Sequence, residues 1–275
     1  MKIQHTLILI GLCALFQACK DGNPVENEEL ITAKQQEISN DVLELERFIN
    51  ELEFIARSIK IYHPNQPGIL MGATISKGQT EEGKKKYDIL FNNITGSDDK
   101  KRSGKLSVVF EDAVENGNTV LGKHLHVRSD DDTQLFSVAG IRFKGSLIFS
   151  NISNSDMAIT DHLNAQSFLI NPAGDQIRFS SARKSKWKAG NATPDIADDV
   201  FELSDQHYSL NIANTTNEFV NVEPGAAATL QHACSESPFL PKAGKLAIEH
   251  LGGKSWTINL GNGDCSTLPA LENSH

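Results

Sequence analysis

Few side chains in this sequence are spaced for chemistry. His124-Leu125-His126 places two imidazoles on one face of a strand, because strand side chains repeat every two residues. Asp130-Asp131-Asp132 follows closely, and two histidines with a carboxylate form a zinc or copper ligand set. The alternative is a polar strand face beside an acidic turn. No third ligand stands at a diagnostic spacing, so His124 and His126 remain candidates and no metal is assigned. The three aspartates lack the alternating oxygens and the glycine of a calcium loop.

Arg183-Lys184-Ser185-Lys186-Trp187-Lys188 is a basic cluster in an acidic chain. Trp187 is a candidate for stacking on a sugar while the cations meet acidic groups. The competing reading is a strand edge guarded by lysines against pairing. Gly261-Asn262-Gly263-Asp264 lacks a following Lys-Ser/Thr and reads as a hairpin turn, not a phosphate loop. Neither Gly-x-Ser-x-Gly nor His-Glu-x-x-His occurs, and no catalytic residue or cofactor is assigned.

The start of the chain carries an address. Met1–His5 hold one lysine and no acid, and Thr6–Phe16 is an apolar run that ends at Gln17-Ala18-Cys19. This describes a secretory signal over residues 1–18, and the run is too short to span a bilayer. The segment resembles a bacterial lipoprotein signal with a lipobox, Phe16-Gln17-Ala18-Cys19, in the looser form of Bacteroidota. The resemblance implies that Cys19 becomes the first mature residue and carries a thioether-linked diacylglycerol plus an amide-linked acyl chain. Each buried methylene contributes about 0.8 kcal/mol, so three chains anchor firmly. An ordinary secretory signal with an incidental cysteine is the alternative. Lys20-Asp21 resembles a sorting tag for the outer face of the outer membrane, with the periplasmic face as the other possibility.

Charge and cysteine usage agree with an extracytoplasmic place. The chain has 275 residues, is 39% hydrophobic and carries a formal charge of −9. Losing residues 1–18 removes Lys2 and no acid, so the mature chain is more acidic still. That balance argues against nucleic acid as a partner, since duplex binding needs Lys and Arg to displace counterions. Anionic headgroups repel such a surface, so membrane attachment falls to the lipid. With Cys13 in the signal and Cys19 acylated, Cys234 and Cys265 remain, and outside the cytoplasm they most simply pair. A bridge closing that loop contributes roughly 3–4 kcal/mol in the chain-entropy model. Two buried free thiols are the alternative.

The elements that must position these residues follow from periodicity. Residues 19–29 are a polar tether. Residues 30–62 read as helix: Ile38, Val42, Leu45, Ile49, Leu52, Ala56 and Ile59 alternate steps of four and three, with Phe48 and Ile55 widening the stripe. A widened stripe favours docking on a β domain, and a strict seam favours a coiled coil. Residues 63–103 read as a loop-rich connection, with turn chemistry at His63-Pro64-Asn65-Gln66-Pro67-Gly68 and charged stretches beyond. From Gly104 the period becomes two, as in Leu106, Val108, Phe110 and in Leu147, Phe149. Asn116-Gly117 marks a hairpin. The expected class is mainly β, an antiparallel β-rich domain with an N-terminal helical segment.

An internal echo raises the prospect of two related β units, 104–155 and 156–275. Arg102-Ser103-Gly104-Lys105-Leu106-Ser107-Val108 and Lys242-Ala243-Gly244-Lys245-Leu246-Ala247-Ile248 share a pattern of basic, small, Gly, Lys, Leu, small, branched. With Cys234, Pro241 and Gly261-Asn262-Gly263-Asp264-Cys265, these segments resemble envelope lipoproteins of Bacteroidota that carry Gly-led strands and a Gly-x-Gly-x-Cys turn. The resemblance implies architecture and location but no chemistry. The functional expectation is a lipid-anchored, non-catalytic binding or structural module of the envelope, with an envelope protein or a glycan as partner. The rival is a carbohydrate-binding protein or glycan hydrolase at the cell surface.

Overall fold

The computed structural model describes residues 31–61, 70, 72–96, 98–153, 159–164, 167–193, 196–213, 218–234 and 237–273. The segments expected to be signal and tether, Cys19 between them, and the turn expected at 63–68 lie outside the described residues. Contacts divide the chain into Met1–Ile31 and Thr32–His275, and every described helix and strand belongs to the second unit.

Its helix, α1, spans Ala33–Lys60. Thr32 opens it with a capping box. Its hydroxyl accepts from the Gln35 amide, and its own N–H donates to Gln35 Oε1 at 2.8 Å. Arg57 and Lys60 complement the dipole of the last turn. At 1.5 Å per residue the helix is about 42 Å long.

Fourteen strands follow among the described residues: β1 (Thr74–Gln79), β2 (Lys85–Thr95), β3 (Lys101–Glu115), β4 (Asn118–Ser129), β5 (Ser137–Val138), β6 (Ile141–Ser150) and β7 (Ile159–Asn164). Then come β8 (Ser167–Ile170), β9 (Gln176–Ala189), β10 (Val200–Ala213), β11 (Glu218–Gln231), β12 (Ala243–His250), β13 (Lys254–Asn262) and β14 (Ala270–Asn273). They form one antiparallel sheet in the order β1-β2-β3-β4-β6-β7-β9-β10-β11-β12-β13-β14, with β5 against β3 and β6, and β8 against β6 and β9. Asn116 and Gly117 both take positive φ in the β3–β4 turn, as a two-residue hairpin requires.

The connection expected over 63–103 is corrected in part. Its charged stretches include β1 and β2. In β2 the apolar alternation of Tyr87, Ile89 and Phe91 is hidden in the sequence by the lysines beside it. The strand β1 is an almost wholly exposed edge, where polar residues discourage further pairing.

The two β units are also corrected: pairing runs through β6, β7, β8 and β9 without a break at 155/156. The echoed positions share a local geometry. Gly104 and Gly244 take φ of +90° and +107°; a Cβ at Gly104 would collide with the Leu135 carbonyl, and one at Gly244 would lie 2.6 Å from Ala228 Cα. Only glycine allows these approaches at register shifts, where the sheet bends. The basic residue two positions earlier, Arg102 or Lys242, is buried in both.

The sheet bends around α1. Every residue from Leu45 to Ile59 is buried, on all sides of the helix. The apolar stripe docks as the widened pattern predicts. The opposite, polar stripe is buried too, against inward-facing residues of β3, β7, β9 and β10, so the apolar seam is spent on docking and leaves no face of Leu45–Ile59 for a coiled coil.

Candidate functional site

The residues singled out by sequence fall in separate places. Cys234 and Cys265 form a disulfide with Cα atoms 5.1 Å apart, tying the loop after β11 to the turn after β13. His124 and His126 share a face of β4, as the spacing requires, but each has its own partner. His124 Nδ1 lies 2.6 Å from Ser150 Oγ, while His126 Nε2 lies 3.1 Å from Glu111 Oε2 and its Nδ1 3.0 Å from Arg128. Asp132 pairs with Lys144 instead of approaching them. Among the described residues no group of three His, Cys, Asp or Glu is placed to hold a metal ion.

The basic cluster divides by strand alternation. Arg183, Ser185 and Trp187 point inward; Lys184 and Lys188 point out and pair with Asp205 and Glu202 of β10. Both readings of the cluster are corrected. Trp187 is 1% exposed, donates Nε1 to Asp199 Oδ1 at 3.1 Å and stacks on Phe201, so no external sugar reaches its ring. Nor is the strand an edge, because β9 is paired on both sides.

The inward residues instead meet the polar stripe of α1. Arg183 Nη1 lies 3.3 Å from Glu46 Oε2 and Nη2 2.8 Å from Glu53 Oε2. Glu53 Oε1 accepts from Arg57 and, at 2.6 Å, from Ser185 Oγ. Arg57 also donates to Thr160 Oγ1 at 2.8 Å. Glu46 Oε1 accepts from Gln206 Nε2 at 2.7 Å and from the Tyr208 hydroxyl. Beside this cluster Arg102 binds both Glu51 and Asp98, and Arg47 joins Glu51 to Glu44.

Burial raises Glu53, but the charges of Arg57 and Arg183 outweigh it and bring the carboxyl down to about 2. For Glu46 burial wins over Arg183, and its pKa rises. Burial, with Arg183 adding to it, lowers His162 to about 3, so this imidazole is neutral; its Nδ1 has no hydrogen-bond partner.

Two carboxylates on one guanidinium would suit acid–base work only if substrate reached them. The cavity beside Glu53, Arg57 and His232 holds about 10 Å³, room for roughly one water. This cluster is therefore a clamp between helix and sheet.

The open site is on the other face. A groove of about 480 Å³ crosses β8 to β11. Registers align its parts in one row: Phe168 opposite Arg178, Arg178 opposite Asn211, Asn211 opposite Phe219. At 4.7–4.9 Å between strands, the two rings stand about 14 Å apart as walls. The next outward-facing row carries short side chains, with Ser180 opposite Ser209 and Ser209 opposite Asn221. Ser209 Oγ donates to Asn221 Oδ1 at 3.1 Å. The Oδ1 of Asn211 is buried without a donor, and among the described residues no carboxylate pairs with the exposed Arg178.

Sequence reasoning missed this groove, since its four main residues come from four strands. The one available signal was outward position on alternating strands, which Phe168 and Phe219 occupy against pattern. The chain matches no family model, no curated protein and no solved structure.

Proposed function

We propose that the chain is a non-catalytic binding module of the cell envelope, held to the outer membrane by lipid on Cys19 and presenting the groove between Phe168 and Phe219 to a ligand at the cell surface. One contrast carries the binding half of this reading. The carboxylates and guanidiniums of the clamp inside the sheet are partnered and packed against α1, whereas the outer groove keeps a guanidinium with no carboxylate partner among the described residues, an unmet acceptor and two aromatic walls. Its volume falls in the range of small-molecule sites, roughly 300–1,000 Å³. The anchoring half is supported by the sequence around Cys19.

The rival reading, a glycan hydrolase, needs facing carboxylates in a cleft. Glu46 and Glu53 do face one guanidinium, but they are buried at the helix–sheet junction. The carbohydrate-binding version of that rival is favoured by the aromatic walls and hydroxyl floor of the groove.

Metabolic labelling with an alkyne fatty acid tests the anchor. The wild-type chain is expected to take up label and sediment with membranes, and the C19A chain to lose both. An unlabelled wild-type chain, or a mature product beginning elsewhere, overturns the anchored reading.

A further inference from the structure

The outward cations of β9 are not all alike. Lys184 reaches Asp205 at 2.7 Å and Lys188 reaches Glu202 at 3.5 Å, each across to β10. Arg178, on the same strand and the same face, meets an amide, Asn211, at the equivalent cross-strand position. It lies between two phenyl walls, so a cation with no carboxylate partner among the described residues sits at the centre of the groove. Lys144, opposite Phe168 on the far side, stands over that ring at 5.8 Å and is already paired with Asp132.

Several ligand classes fit this poorly. The strands β9 and β10 are hydrogen-bonded on both sides, so no peptide can join here as an added strand. Serine hydroxyls and an amide make a floor wrong for an acyl chain, because polar groups lose their water there without gaining partners. Nucleic acid needs many cations, and the chain carries a net charge of −9. A pyranose ring satisfies the rest. In a saccharide of several such rings, end rings pack on Phe168 and Phe219, and hydroxyls between them pair with Ser180 and Ser209. A carboxylate or sulfate on such a ring gives Arg178 its bidentate partner.

We infer that the groove of β8–β11 binds an acidic saccharide, with Arg178 holding its anionic group and Phe168 and Phe219 flanking its rings. This rests on the reading of the groove as a binding surface. The test is titration of the full-length chain, in detergent, with an oligogalacturonide, a heparin tetrasaccharide and a neutral galacto-oligosaccharide of matched length. An acidic ligand is expected to bind about tenfold or more tightly than the neutral one, the share of one charge-assisted hydrogen bond. R178Q is expected to abolish that preference and F219A to weaken both ligands, with the circular dichroism spectrum unchanged because both side chains are exposed. If F219A weakens binding but R178Q leaves the preference intact, the acidic assignment fails and the groove stands. If binding ignores F219A and R178Q alike, the groove reading fails with it. No binding of any of the three saccharides overturns the inference.

Discussion

The two faces of β9 and β10 are made from similar residues and do opposite things. Inward, Arg183, Ser185, Gln206 and Tyr208 close on Glu46 and Glu53 of α1. Outward, Arg178, Ser180, Ser209 and Asn211 line an open groove. The difference lies in what stands opposite. The helix brings carboxylates to the inner guanidinium, and nothing in the described fold brings one to the outer. An arginine that is matched in the core holds the structure together, and one left unmatched on the surface is available to a ligand.

The largest test of that contrast is R183M. It leaves Glu46 and Glu53 buried with less compensation, and breaking a buried pair costs about 3–5 kcal/mol. Urea denaturation is expected to show a loss of that size; a loss under about 1 kcal/mol, the range of an exposed pair, would mean that the clamp is ornamental.

Acid sharpens the same point. His162 is neutral in the fold, with its pKa at about 3 against 6.5 unfolded. Above the unfolded value it contributes no slope. As pH falls below 6.5 the unfolded chain takes up a proton that the native chain refuses, and stability drops by about 1.4 kcal/mol per pH unit until the folded value is reached. Between pH 6.5 and 4.5 this amounts to about 2 kcal/mol, measurable as the difference in slope between wild type and H162Q. Glu46, with its raised pKa, tilts the profile the other way, and Glu53 adds a loss only as pH falls from 4.5 towards 2. Equal slopes in the two proteins would show that His162 is reached by water.

A smaller cut, S185A, removes one hydrogen bond to Glu53 and is expected to cost about 2 kcal/mol, the usual worth of a bond to a charged group. On the outer face R178Q and F219A are expected to change stability by no more than about 0.5 kcal/mol in the same assay. A large loss there would erase the distinction between the faces.

Much of the fold was legible because it is local. The stripe from Ile38 to Ile59 predicts α1, the alternation in β4 and β6 predicts strands, and Asn116-Gly117 predicts its turn. Cys234 and Cys265 pair as expected. What escaped depends on pairs distant in sequence. Glu53 and Arg183 stand 130 positions apart, so nothing near Glu53 announces that the polar side of the helix is covered. Trp187 reads as exposed because it sits among lysines, but alternation sends it and its neighbours to opposite faces. The groove is a row across four strands, visible only once their registers are known.

The clamp also imposes a schedule. Read from its amino end, the chain delivers α1 well before β9, since 130 positions separate Glu53 from Arg183. In that interval the helix holds some of its own charge in check, through Arg57 with Glu53 and Arg47 with Glu51, each one turn apart. Those intrahelical bonds pair part of the helix's charge from within its own sequence, and the arginines of the sheet complete the pairing around it.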